Sequence, residues 1–257
     1  MFKQKILLYI SCGLAISLSI SKFSIANENV LAIDVGHSRL SSGAISAYGI
    51  PEFEFNLALA QTISNVMSSD GIPIVRIGYD GTMMDLKNRT QLAKTSGSTF
   101  FLSIHHDSVQ TQYLKPWHWQ GLTRNYSDYA SGFSLFVSRK NPELATSLLC
   151  ATSIGFALKQ KGFHPSPHHS ESISGENKEW ADKVNGVYYY DDLVVLKTAT
   201  MPAVLLEAGV IANRQEEQQI QKPEARNAIA QAIQNGLLNC GVIQTLLDAK
   251  KEPKRHQ

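Results

Sequence analysis

The chain is poor in cysteine, in net charge and in long apolar runs, and each shortage closes off a class of protein. Three cysteines in 257 residues cannot make a disulfide framework, and none stands in metal-ligand spacing. Lys and Arg number 24 against 22 Asp and Glu, a formal charge of +2. So even a balance argues against nucleic acid as the main partner, because neutralising phosphates takes a basic face. The most apolar stretch, Ile6 to Ile20, is shorter than the roughly 20 residues of a membrane-spanning helix. Lys3 and Lys5 precede it and Ser24-Ile25-Ala26 follows it, the make-up of a secretory signal peptide cleaved after Ala26. Cys12 lies in mid-run behind Tyr9 and Ile10, a poor lipidation box. The chain is therefore expected to be exported, to the periplasm first and otherwise to the cell wall or medium, with no membrane span left after cleavage.

Loss of Lys3, Lys5 and Lys22 would leave 21 basic against 22 acidic residues, a net charge of −1. Residues 27–245 suit one α/β domain with a sizeable core, and residues 246–257 read as a charged, solvated tail. Only Cys150 and Cys240 remain, both on helix-like stretches, and they read as small buried apolar residues. A single bridge between them stays open in an oxidising compartment. There is no internal repeat, linker or low-complexity stretch, and a monomer is expected.

From Asn29 onward strands and helices alternate. NVLAIDV is nearly all apolar, as a strand covered on both faces should be. A helix follows from Glu52 to Ser69, behind Pro51 and ahead of Gly71. IPIVRI, STFFLSIHH, GFSLFVS, LVVLKT and AVLLEAG read as further strands. Between them come a helix capped by Asp85, one begun by Asn141-Pro142, a short one capped by Asn213 and a last one striped by Ala225, Ile229, Ile233, Leu237 and Cys240. The expected fold is a single α/β domain: a mostly parallel twisted sheet of about six strands with helices on both faces. Two stretches read as inserted loops, an aromatic one at about 108–131 and a polar one at 163–192 with one helical turn near Lys178 to Lys183.

Three of these runs stop at chemistry: AIDVGH at His37, FFLSIHHD at His105 and AVLLEAG at Glu207. In an open α/β sheet the carboxyl ends of the strands share one edge, where ligands bind. His37, Glu52 and His105 offer two imidazoles and a carboxylate, a set that suits a hydrolytic zinc ion with a position left for water. Glu207 ends an apolar strand, a costly place for a charge unless it is paired or used. Taken singly each has an ordinary reading: a loop residue, a helix-dipole complement, a satisfied histidine and half of an ion pair. Spacing alone does not identify a metal site, since the residues lie in separate elements.

The chain resembles the zinc-dependent N-acetylmuramoyl-L-alanine amidases of bacterial cell-wall remodelling, the catalytic-domain type used in cell separation and spore-wall lysis. Their D-x-G-H-G is matched by Asp34-Val35-Gly36-His37-Ser38 and their E-x-x-x-N-L by Glu52-Phe53-Glu54-Phe55-Asn56-Leu57. L-x-x-R stands as Leu86-Lys87-Asn88-Arg89, S-I-H-A-N as Ser103-Ile104-His105-His106-Asp107, and the closing M-P-A-V-L-x-E-x-G as Met201 to Gly209. The resemblance implies one Zn²⁺ per chain held by His37, Glu52 and His105, Glu207 as the catalytic carboxylate, and hydrolysis of the amide between N-acetylmuramic acid and the L-alanine of the stem peptide. Arg89 is assigned to structural pairing, with substrate contact as the second role. A zinc peptidase acting within the stem peptide and a non-catalytic binding protein are the rival readings.

Ser38, His106, Asp107 and Val210 depart from the pattern. None removes a ligand, but His106 and Asp107 set extra polar groups beside the metal, to shape a substrate subsite or add a ligand. Some related amidases are held inactive by a segment over the zinc that an activator protein moves. An activator is thus a candidate partner besides peptidoglycan. His164, His168, His169, Glu171, Glu176 and Glu179 in the second insertion are candidates to reach the zinc.

Overall fold

The computed structural model describes residues 29–251, so the signal-peptide reading and the last residues of the charged tail lie outside the described residues. Strand β1 (Val30–Val35) is buried along its whole length and leads through a loop to α1 (Glu52–Ser69). Then come β2 (Ile74–Ile77), α2 (Leu86–Thr95) and β3 (Ser98–Asp107). Asp85 caps α2 as its sequence suggests, its side chain accepting from the amides of Lys87 and Asn88.

The first insertion is not a plain loop. It holds a 3-10 turn (Thr111–Tyr113) and a hairpin of β4 (Lys115–Trp119) and β5 (Leu122–Tyr126), a separate two-stranded sheet. Its aromatic residues pack on the protein itself: Trp117 donates its indole N–H to the Ala47 carbonyl, and Tyr113 stacks on Tyr129 at 4.1 Å. After β6 (Ser134–Val137) and α3 (Leu144–Gln160), the second insertion also departs from expectation. It holds a 3-10 turn (His168–Ser170) and strands β7 (Glu179–Asp182) and β8 (Val187–Tyr189), with strand where a helical turn was expected.

LVVLKT is helical, α4 (Val194–Thr198). A short apolar run does not distinguish a strand from a buried helix, and here β8 already occupies the place beside β6. Asn141 does not cap α3, whose first residue is Leu144. It is buried instead and its amide donates to the carbonyls of Leu196, Ala199 and Met201, satisfying groups that the end of a short helix leaves open. The chain closes with β9 (Ala203–Val210), α5 (Arg214–Ile220) capped by Asn213, α6 (Pro223–Asn239) and α7 (Val242–Lys251). The domain therefore runs past residue 245: Leu246 in α7 is fully buried in the main core.

Seven strands, one more than expected, make the main sheet in the order β2-β1-β3-β9-β6-β8-β7. The four from β2 to β9 are parallel, β6 runs antiparallel to β9, and β7 runs antiparallel to β8. Alternation along the strands sorts the faces. Leu31, Ile33, Phe100, Leu102, Val204 and Leu206 meet α1, α3, α6 and α7 on one side. Ala32, Phe101, Ala203 and Leu205 meet α2 and α4 on the other. That parity places His105 and Glu207 on the α2/α4 side and His106 on the α1 side.

Cys150 and Cys240 form a disulfide with Cα atoms 5.1 Å apart, where two unpaired apolar residues were expected. Helix periodicity shows that both face the core, but only the crossing of α3 on α6 brings them together. The bond spans 90 positions of sequence, so its loss frees a large loop in the unfolded chain. Cys150→Ala/Cys240→Ala is expected to cost about 2–4 kcal/mol, read as a lower urea midpoint than wild type. Among the described residues no helix is long and apolar enough to cross a membrane.

Candidate active site at the strand ends

The site starts from β1. Gly36 follows the strand, and a Cβ there would lie 2.3 Å from the His105 ring, so only glycine lets the two strand ends approach. His37 then turns the chain in a left-handed conformation, φ 67°. Arg89 from α2 holds that turn: its guanidinium, 1% exposed, donates to the carbonyls of Val35, His37 and Met83 and pairs with Asp34 at 2.7 Å. Ser103 donates to the second Asp34 oxygen. The guanidinium of Arg89 thus bonds Asp34 and the carbonyls on either side of the turn.

Glu52 opens α1 and is buried. Its Oε2 faces Nε2 of His37 at 3.0 Å and its Oε1 faces Nδ1 of His105 at 3.1 Å. The Ala44 amide and the Asn56 side chain donate to the same carboxylate. Gly43, at φ 76°, passes close above: a Cβ would come within 2.2 Å of Glu52 and 2.7 Å of His37. Burial works to raise the Glu52 carboxyl, but the hydrogen bonds and charges of His105 and His37 hold it well below the usual carboxylate range. Donor atoms of His37, Glu52 and His105 all lie within 4.8 Å of one another. Two imidazole nitrogens and a carboxylate oxygen at that separation fit the donor set of a zinc site.

Glu207 lies opposite His105 in the β3/β9 register. Its Oε2 is buried without a hydrogen-bond partner. Burial, and then the negative charges of Asp107 and Glu52, push its carboxyl well above the ordinary value. With His37 and His105 it lines a cavity of about 330 Å³ whose other walls include Met83, Met84, Leu86 and Leu193 to Val195. Neither insertion contributes a lining residue to that cavity.

His106 and Asp107 go elsewhere. His106 faces α1, where its Nδ1 donates to Asn56 at 2.8 Å and burial pushes its imidazole down to about 3. It lines a separate cavity with Phe55, Ile220 and Arg226. Asp107 meets the second insertion: His169 donates to it from Nε2 at 2.7 Å, and Nε2 of His168 lies 3.1 Å from the same oxygen. So His168 and His169 meet Asp107 rather than joining the His37, Glu52 and His105 cluster. Burial opposes the charged His169, while Asp107 and Glu176 lift it to about 9.

The sequence reading placed Asn56 in a matched motif but gave it no role. Asn56 bridges Glu52, the Gly36 carbonyl and His106. Its position one turn after Glu52 on α1 was the available signal, since residues four apart share a helix face. The apolar wall from α4 was hidden by the strand reading of LVVLKT.

An open α/β sheet that gathers such a donor set and a lone buried carboxyl at its carboxyl edge has the build of a hydrolytic domain, with its cavity where the fold puts ligands. The chain belongs to the N-acetylmuramoyl-L-alanine amidase family, whose pattern matches residues 31–239. It is 25% identical over 223 residues to a putative N-acetylmuramoyl-L-alanine amidase of Buchnera aphidicola, covering 81% of this chain and 93% of that protein. The catalytic domain of the amidase CwlV from Bacillus (Paenibacillus) polymyxa has the same fold, with TM-score 0.62, 24% identity, and coverage of 84% of this chain and 99% of that one. So does the CwlD amidase of Clostridioides difficile, solved in complex with the GerS lipoprotein, with TM-score 0.61, 20% identity and coverage of 86% and 98%. The chain is thus a cell-wall amidase catalytic domain.

Proposed function

We propose that this amidase is zinc-dependent, with His37, Glu52 and His105 holding one ion and Glu207 as general base. The reading is carried by one observation: His37 and His105, which Glu52 joins at 3.0 and 3.1 Å, line the same cavity as the unpartnered Glu207 carboxyl. Zinc bound there supplies Lewis acidity at the scissile carbonyl and acidifies an attacking water toward a pKa of about 7. Glu207 takes the proton of that water on its carboxylate and returns it to the departing L-alanine nitrogen. Asp34 and Arg89 keep the His37 turn in place from behind. Met83, Met84, Leu86 and the α4 residues exclude water from one side of the cleft and give the stem peptide an apolar wall.

Export to the periplasm belongs to the same reading, and the Cys150–Cys240 bond suits an oxidising compartment. A protein activator is a fitting partner, by analogy with the CwlD–GerS complex. Mass spectrometry of digested sacculi tests the reaction. Intact stem peptides with a free L-alanine amino end are expected; fragments cut inside the stem would replace this reading with a peptidase. Asn56→Ala, which strips Glu52 of a fixed hydrogen bond, is expected to weaken zinc binding about 10–100-fold, measured by competition with a chromogenic chelator.

A further inference from the structure

We propose that Asp107, His168 and His169 form a second metal site, which takes one divalent transition-metal ion of the zinc class. Their donor atoms all lie within 4.8 Å of one another. Metal bonds of about 2 Å in a tetrahedron set ligand atoms about 3.3 Å apart, so small side-chain rotations close the three around an ion. Two imidazoles and one carboxylate are borderline donors that favour zinc and its neighbours over calcium or magnesium.

Each ligand is already fixed from behind. Nδ1 of His169 bonds the Glu176 carboxylate at 2.7 Å, and Gln110 holds the far oxygen of Glu176 at 2.7 Å. Nδ1 of His168 bonds the Ser166 hydroxyl at 2.7 Å. The Ser108 amide occupies Oδ1 of Asp107 at 2.7 Å and leaves Oδ2 toward the two rings. This is the outer-shell pattern of metal-binding histidines, in which the second ring nitrogen is tied to a carboxylate or other polar group and aims the first.

The independent sign is His168. It is 4% exposed, yet its Nε2 has no hydrogen-bond partner. The nitrogen sits 3.1 Å from Asp107 in a direction that makes no hydrogen bond with it. Buried polar atoms are nearly always satisfied, and an ion between this nitrogen, His169 and Asp107 satisfies it. Phe136 and Tyr188 stand edge-on to the His169 ring at 4.9 and 5.6 Å. Such an ion would pin the insertion of residues 163–192 to the end of β3, two residues beyond His105.

The test is metal content of the full protein, purified, loaded with Zn²⁺ and passed through a desalting column. Two ions per chain are expected for wild type, one for His168→Gln/His169→Gln and one for His37→Ala/His105→Ala, with circular dichroism confirming the fold. Asp107→Asn, closer in shape, provides a second variant, and anomalous diffraction at the zinc edge locates the ion in wild type without any substitution. One ion or none in wild type, with no loss in the His168/His169 variant and no anomalous peak beside Asp107, overturns the proposal: the cluster is then a metal-free ion network. One ion lost in the His168/His169 variant but kept in the His37/His105 variant supports this site and overturns zinc ligation at the first.

Discussion

Glu207→Gln is expected to lower kcat on purified peptidoglycan by about 10²–10⁴-fold while zinc content stays at the wild-type level. Glutamine keeps the shape of the side chain but cannot accept a proton from the attacking water or return one to the leaving nitrogen. The neighbours of Glu207 suit a base rather than a ligand or a structural pair. It makes no ion pair in the described residues, its Oε2 is without a partner, and burial with two nearby carboxylates raises its proton affinity. A base works best with its pKa near the operating pH, and for a carboxyl that demands an upward push. Retained hydrolysis in Glu207→Gln with full zinc would remove Glu207 from the mechanism; lost hydrolysis with lost zinc would make it a ligand.

Arg89→Met is expected to destabilise the domain by about 3–5 kcal/mol, the largest stability effect among the substitutions considered. Arg89 and Asp34 are each 1% exposed, so removing one leaves a buried charge without compensation. Three main-chain carbonyls, those of Val35, His37 and Met83, lose their donor in the same step. Urea denaturation reads the loss. Asp34→Leu/Arg89→Met, which removes both charges, should recover part of it, because an apolar pair is often as stable as a buried ion pair. If the single and double variants unfold at the same midpoint, the uncompensated charge is not the cause. Activity should fall with stability in both, since the His37 turn is held through its carbonyl by this guanidinium.

These two residues show the site's division of labour. Arg89 and Asp34 shape the turn from within the sheet, and Asn56 orients Glu52 from the helix. Glu207 is left unpaired in the cavity, with the apolar residues of α4 beside it. Burial and the negative charges of Asp107 and Glu52 favour the protonated form of the Glu207 carboxyl.

The amino-acid pattern alone was enough for the strands that carry the site. Continuous apolar runs at β1, β3 and β9 required burial on both faces, hence a parallel sheet, and the polar residue at each run's end had to lie on one edge. Asp85 and Asn213 announced their helices because an N-cap acts within three residues of itself. The sequence reading set both His106 and Asp107 beside the metal with His105, whereas the fold turns His106 toward Asn56 on α1. What resisted reading were contacts between residues remote in the chain. The helix at Val194–Thr198 depends on Asn141 binding its terminal carbonyls, and a five-residue apolar run carries no period that reveals it. The Cys150–Cys240 bond depends on where α3 crosses α6. The partners of Asp107 come from an insertion whose polar sequence shows no period at all. Local periodicity records which face of an element is buried; only packing of the elements against one another decides which buried groups meet.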